Sequence, residues 1–205
     1  LRYVVKDEST SEYSASLKVW ELGNRLSLRL AIRHAAQMRM TELLEATRET
    51  IHLSVLEGRE ILYVHKLDSP EPVRAYSEVG GRAPAHCVAT GKAILAWQPQ
   101  KLLEDMAAGG LTRYTPNTIV DGPAFLREME RVRHQGYAVN RGEWRETVWG
   151  IAAPIRDSVG TVVAALGISG PSSRFKPARI KSLAALVREA ADAVSLQPQA
   201  VRRSA

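Results

Sequence analysis

The apolar positions of the chain change period several times, and each change marks an element. Residues 1–5 and 12–15 read as two short strands around the polar turn 6–11, a β-hairpin. Such a hairpin is marginal alone and needs a body to pack on. Ser16 is a plausible N-cap for a helix running to about residue 29, with Leu22, Leu26 and Leu30 on one face. A second helix is predicted over 31–47 from Ile32, Ala35, Ala36, Met40, Leu43 and Leu44. Strand composition then takes over at 51–57, 60–67 and 73–79, with a loop at 80–84. Helices are predicted at 85–97, 101–108 and 123–134, the last closed by Gly136. Strands return at 137–140, 148–155 and 159–168. A final helix over 177–196 carries Ile180, Leu183, Val187, Ala190 and Val194 as its seam. Strands interrupted by helices predict an α+β fold, one antiparallel sheet flanked by helices.

With 205 residues, 45% of them hydrophobic, the chain can bury a sizeable core. No run of 18 uncharged apolar residues is present, so no membrane helix is expected. No secretion signal opens the chain, and the lone Cys87 cannot form an internal disulfide. The cytoplasm is the expected compartment. The net charge of +6 fits a nucleic-acid partner, but the basic residues are dispersed among acids and read first as a solvated surface. The chain begins with Leu rather than Met, which is expected of a piece of a longer protein.

The usual catalytic and metal patterns are missing. The five histidines, His34, His52, His65, His86 and His134, form no HxxxH or HExxH pair, so no metal site is expected. Gly91-Lys92 lacks the earlier glycine and the following Ser or Thr of a phosphate-binding loop. His86 and Cys87 are adjacent, and neighbours in a helix do not face each other. Cys87 therefore reads as structural, no catalytic residue is assigned, and no cofactor is expected. The remaining pattern is that of a pocket. A loop leads into the helix start near Thr90, where free N–H groups suit a carboxylate. Asn140 ends a strand, while Gly150, Gly167 and Ser169 are small residues in otherwise bulky strands. Strand glycines accommodate either a ligand or close packing, and the sequence leaves both open.

Three ordered blocks carry a family resemblance. Residues 83–96 (APAHCVATGKAILA), 136–144 (GYAVNRGEW) followed by 150–155 (GIAAPI), and 168–174 (ISGPSSR) resemble the effector-binding domain of IclR-type transcriptional regulators. The resemblance implies a GAF-like curved antiparallel sheet flanked by helices. It also implies an organisation. Residues 1–17 would be the remnant wing of a winged helix-turn-helix, 18–30 a linker helix, 31–197 the effector-binding domain and 198–205 a tail. The function implied is sensing and oligomerisation in a regulator that is not an enzyme. Its partners would be a small carboxylate effector, aromatic acids included, a homodimer or tetramer, and operator DNA through the largely missing N-terminal domain. By correspondence the ligand-binding residues would be Ala89, Thr90, Asn140, Gly150, Gly167 and Ser169, with Pro72 or Val73 reaching in from an edge and His86 holding the helix start. Gly150 and Gly167 stand where other members carry a thiol or hydroxyl. The expectation is added room and an effector larger than a two-carbon acid, with Trp144 and Trp149 either flanking a ring or serving as core or interface. The alternatives are an enzyme acting on a small acid through Cys87, His86 or Asn140, and an assembly module without ligand.

Overall fold

A computed structural model describes residues 3–6, 9–19 and 27–195. The expected tail at 198–205, most of the 18–30 helix and its Leu22 and Leu26 lie outside these residues. Strands β1 (Val4–Lys6) and β2 (Tyr13–Ala15) form the expected hairpin, with Val4 paired to Ala15. Helix α1 (Ser27–Thr47) runs unbroken through the boundary predicted near residue 30.

Six strands make one antiparallel sheet: β3 (Thr50–Glu57), β4 (Glu60–Leu67), β5 (Arg82–Pro84), β6 (Ala138–Arg141), β7 (Val148–Arg156) and β8 (Val162–Pro171). Their order is β5-β4-β3-β8-β7-β6. Both faces are buried, because helices cover both. On one face lie α1 and α5 (Pro177–Ser195). Ile32, Ala36, Met40, Leu43, Leu183 and Val187 from these helices meet Ile51, Leu53, Ile151, Ala153 and Leu166 of the strands. The other face receives α2 (Ala89–Leu95), α3 (Gln100–Ala108) and α4 (Gly122–Gln135). Asp121 caps α4 by accepting from the Ala124 N–H at 2.8 Å, and Gly136 closes it in the left-handed conformation. Full burial of Phe125 here contributes about 2–3 kcal/mol.

Two expectations about local structure fail. Residues 73–79 form no strand; they belong to an irregular connection between β4 and β5. This connection is strapped down from outside. Arg174 Nη1 donates to the Val73 carbonyl at 3.0 Å, and Lys66 Nζ donates to the Ser77 carbonyl at 2.7 Å. The strand that pairs with the outer edge of β4 is β5, with Glu60 opposite Pro84. The helix predicted at 85–97 is also broken. Ala85–Cys87 is a 3-10 turn, Val88 is extended, and α2 proper has seven residues. The break lets the turn fold back over the helix. A Cβ on Gly91 would stand 2.2 Å from the Ala85 carbonyl oxygen, so only glycine permits this approach.

Candidate functional site

Strand register builds one polar row on the α2 side of the sheet. Asn140 pairs with Gly150, Gly150 with Ser169 and Ser169 with Thr50. In the next row Ala152 pairs with Gly167 and Gly167 with His52. A bulge between Leu53 and Ser54 leaves Val64 unpaired on β4. The extra residue shifts the side-chain alternation. Tyr63 then shares the pocket face with His52, their ring centroids 4.8 Å apart. Beyond the bulge His65 faces α1 and bonds Gln37 Oε1 at 2.6 Å.

Between this sheet face, the start of α2, the 74–78 segment and the 144–148 segment lies a hollow of about 40 Å³. That is room for roughly three waters. Ala89, Thr90, Asn140, Gly150 and Ser169 line it, so five of the seven residues singled out by sequence come together. Two lie elsewhere. Val73 is 66% exposed and meets Arg174 through its carbonyl rather than reaching into the hollow. Gly167 lies under the helix: a methyl there would stand 2.8 Å from Ala152 Cβ and 3.0 Å from Thr90 Cγ2. A Cβ on Gly150 would meet the Ile168 carbonyl oxygen at 2.9 Å and Ala89 Cβ at 3.6 Å. Gly167 therefore lets Thr90 of α2 sit close on the sheet, while a methyl on Gly150 would meet the helix only in ordinary contact and that glycine borders the hollow. Of the tryptophans, Trp144 lines the hollow and Trp149 does not. A larger groove of about 330 Å³ between α1 and α5 lies on the opposite side of the sheet from these motifs.

The polar groups of the hollow differ in how they are engaged. Asn140 Oδ1 accepts from the Glu143 N–H at 2.8 Å, and Asn140 Nδ2 donates to the Val148 carbonyl at 3.4 Å. His52 is bonded at both nitrogens, Nε2 to Ser77 Oγ at 2.7 Å and Nδ1 to Ser169 Oγ at 3.3 Å. Burial, aided by the Lys66 charge, holds its imidazole down at about 4, so the ring is neutral at pH 7. Burial likewise pushes the Tyr63 phenol up to about 12. The hydroxyls of Thr90 and Tyr63 have no hydrogen-bond partner among the described residues. Arg145 also lines the hollow, its guanidinium 4.7 Å from the Trp144 ring centre and close enough to bear on the Tyr63 and Tyr76 phenols. Among the described residues Arg145 forms no ion pair. Positive charge at the hollow thus comes from Arg145. The seven-residue α2 is too short for the strong dipole expected of a helix over 85–97.

A buried ion cluster holds the rim. Lys92, 1% exposed, donates to Glu143 Oε1 at 2.6 Å, Glu143 Oε2 at 2.9 Å, Glu128 Oε1 at 3.1 Å and the Val139 carbonyl at 2.7 Å. Burial raises the Glu143 carboxyl against the opposing pull of Lys92. Thr118 Oγ1 donates to the Glu143 carbonyl and Thr115 Oγ1 to that of Gly142. These bonds shape the turn that presents Trp144 and Arg145.

Sequence reasoning missed His52, Tyr63, Ser77, Arg145 and Lys92. For His52 a signal existed: Thr50, His52 and Ser54 are polar at alternate positions, with the apolar Ile51, Leu53 and Val55 between and after them. The other pairings join segments far apart in the chain. The adjacent His86 and Cys87 do not form a reactive pair. His86 Nε2 bonds the Thr112 carbonyl at 3.0 Å, and burial pushes the Cys87 thiol up to about 12. Among the described residues no group of three His, Cys, Asp or Glu could hold a metal, and no helix is long and apolar enough to cross a membrane.

Comparison with known proteins gives concordant matches. The family model described as bacterial transcriptional regulator IclR C-terminal matches residues 25–196. The HTH-type transcriptional regulator KdgR of Escherichia coli (strain K12) is 37% identical over 198 residues, which are 96% of this chain and 75% of that protein. The crystal structure of the C-terminal domain of E. coli KdgR superposes with a TM-score of 0.70 at 35% identity, covering 80% of this chain and 96% of that one. An IclR homologue from Microbacterium hydrocarbonoxydans, crystallised with 4-hydroxybenzoate, gives a TM-score of 0.83 at 29% identity, covering 94% of this chain and 78% of that one.

Proposed function

The chain belongs to the IclR family of bacterial transcriptional regulators, and from that premise we propose that it senses a small organic acid whose binding alters operator affinity. The curated relatives are regulators rather than enzymes. The observation that carries the proposal is the hollow itself. It combines Arg145, a cation with no ion pair among the described residues, with the unpartnered hydroxyl of Thr90 and the amide of Asn140. A carboxylate meeting Arg145 gains charge-assisted bonds, about twice as strong as neutral ones. The 4-hydroxybenzoate held by the Microbacterium relative supports an acid as ligand class. At about 40 Å³ the hollow takes a compact acid directly. An aromatic acid requires the 74–78 and 144–148 segments to move outward.

Such movement is what a sensor needs. A ligand shifts function only by binding two states unequally. A tenfold change in operator affinity needs about 1.4 kcal/mol of coupling. In this proposal residues 31–197 sense, α1 and the 18–30 segment before it carry the signal, and residues 1–17 are the end of a winged helix-turn-helix. Pairing into dimers or tetramers would match operators of two half-sites.

The test is a thermal-shift screen of carboxylic acids followed by calorimetry. An effector at a hundred times its Kd should stabilise the fold by about 2.7 kcal/mol. Thr90→Val should weaken any hit. If no acid stabilises the protein, the sensing role is wrong.

A further inference from the structure

Taking the hollow as the effector site, as proposed above, we propose that His52 sets the hydrogen-bond polarity of its walls, so that the acid bound there must also carry a hydroxyl. The observation is a three-residue relay. Ser77 Oγ lies 2.7 Å from His52 Nε2, and Ser169 Oγ lies 3.3 Å from His52 Nδ1. All three side chains line the hollow. Ser77 belongs to the β4–β5 connection and Ser169 to β8, so the imidazole bridges two walls.

A neutral imidazole has one N–H donor and one acceptor nitrogen. Burial keeps this ring neutral. Two arrangements follow. With the proton on Nδ1, the ring donates to Ser169 Oγ and accepts the proton of Ser77. The Ser169 O–H is then free to donate into the hollow, while Ser77 offers only lone pairs. With the proton on Nε2 the roles are exchanged. In either case one serine donates to a ligand and the other accepts from it. Two carboxylate oxygens cannot satisfy both, because a carboxylate has no proton to give. Neither can an acid whose remainder is hydrocarbon, since the lone pairs of the accepting serine, whose own O–H is engaged by His52, would be desolvated without a donor. An acid with a hydroxyl satisfies both walls, its carboxylate taking the donated proton and its hydroxyl giving one.

The ring cannot swing to a third partner. It packs at 4.8 Å against Tyr63, and the adjoining Ser77 carbonyl is held by Lys66 Nζ at 2.7 Å. Lys66 is itself paired with Asp68 at 3.0 Å. His52 thus acts through the two serines, as a residue that determines specificity.

Two matched ligand sets test this by calorimetry: 4-hydroxybenzoate, benzoate and terephthalate, and lactate, propanoate and malonate. In the wild type the hydroxy acid of at least one set should bind tenfold or more tightly than both analogues, since a site built to bond a hydroxyl rejects the analogue lacking it. His52→Gln, whose amide also has one donating and one accepting end, should keep that ratio within about threefold. His52→Leu should collapse it toward unity even where the fold and some affinity survive. Nitrogen-15 spectra of the imidazole at pH 7 should show one protonated ring nitrogen. Equal affinities within both sets, an unchanged ratio in His52→Leu, or a doubly protonated ring would each overturn the assignment to His52 while leaving acid sensing intact. Binding of no acid at all by the wild type would overturn the sensing function itself.

Discussion

Lys92 Nζ lies 2.6 Å from Glu143 Oε1 in a site where both side chains are almost wholly buried. The pair is also a joint. Glu143 donates its N–H to Asn140 Oδ1 and accepts the Arg141 N–H at 3.2 Å, so the charge on α2 fixes the turn beside the hollow. Lys92→Met should destabilise the protein by about 3–5 kcal/mol, because it leaves a buried carboxylate without its partner. Adding Glu143→Leu should recover part of that loss. Chemical denaturation of the two variants checks it; equal destabilisation in both would mean the charge pair is not the cause.

Gly167→Ala is expected to cost about 1–3 kcal/mol by overpacking. The new methyl would meet Ala152 Cβ at 2.8 Å and Thr90 Cγ2 at 3.0 Å. Because the clash falls on β7 and also on Thr90 of α2, ligand affinity should drop along with stability. A crystal structure of the variant would show α2 displaced from the sheet. A variant as stable as wild type with α2 unmoved contradicts the close-packing role of this glycine.

Acid sensitivity should follow His52. In the folded protein its imidazole titrates at about 4, below the ordinary histidine value of 6.5. The unfolded chain therefore binds more protons between these values, and stability rises with pH across that window. The contribution is fully present above pH 6.5 and is lost as the pH falls towards 4. Its size is about 3 kcal/mol, since each pH unit between the two values is worth roughly 1.4 kcal/mol. His52→Gln has no such group. Its stability should fall less than the wild type's between pH 7 and pH 4.5, and parallel curves would rule out His52 as the source.

Cys87 should be inert in the native state. Its thiol is buried and pushed up to about 12, which leaves almost no thiolate at neutral pH. A thiol reagent such as iodoacetamide should label it at the rate of global unfolding and fast in denaturant. Rapid labelling of the native protein would reopen a chemical role.

Arg145→Gln should weaken binding of any acid effector about tenfold or more while changing the unfolding midpoint little, since the side chain is exposed and forms no ion pair among the described residues. The remaining affinity should depend less on salt. Calorimetry at two ionic strengths reads both effects.

Periodicity along the chain was enough to place α4 and α5, the β3–β4 and β7–β8 hairpins and the α+β class, because hydrophobic alternation and caps act over a few residues. The three sequence blocks pointed to the family and to five residues that line the hollow. Distance in the chain hid the remainder. His52 and Ser169 are 117 positions apart, and Lys92 and Glu143 are 51. Whether Gly150 and Gly167 admit a ligand or a helix depends on how closely α2 approaches the sheet, and no local pattern carries that distance. Val73 and Val79 read as strand by composition, yet the edge place beside β4 went to Arg82–Pro84. Pairing and packing are decided between segments that meet only after the chain has closed on itself, so the chemistry of the hollow emerges at that level.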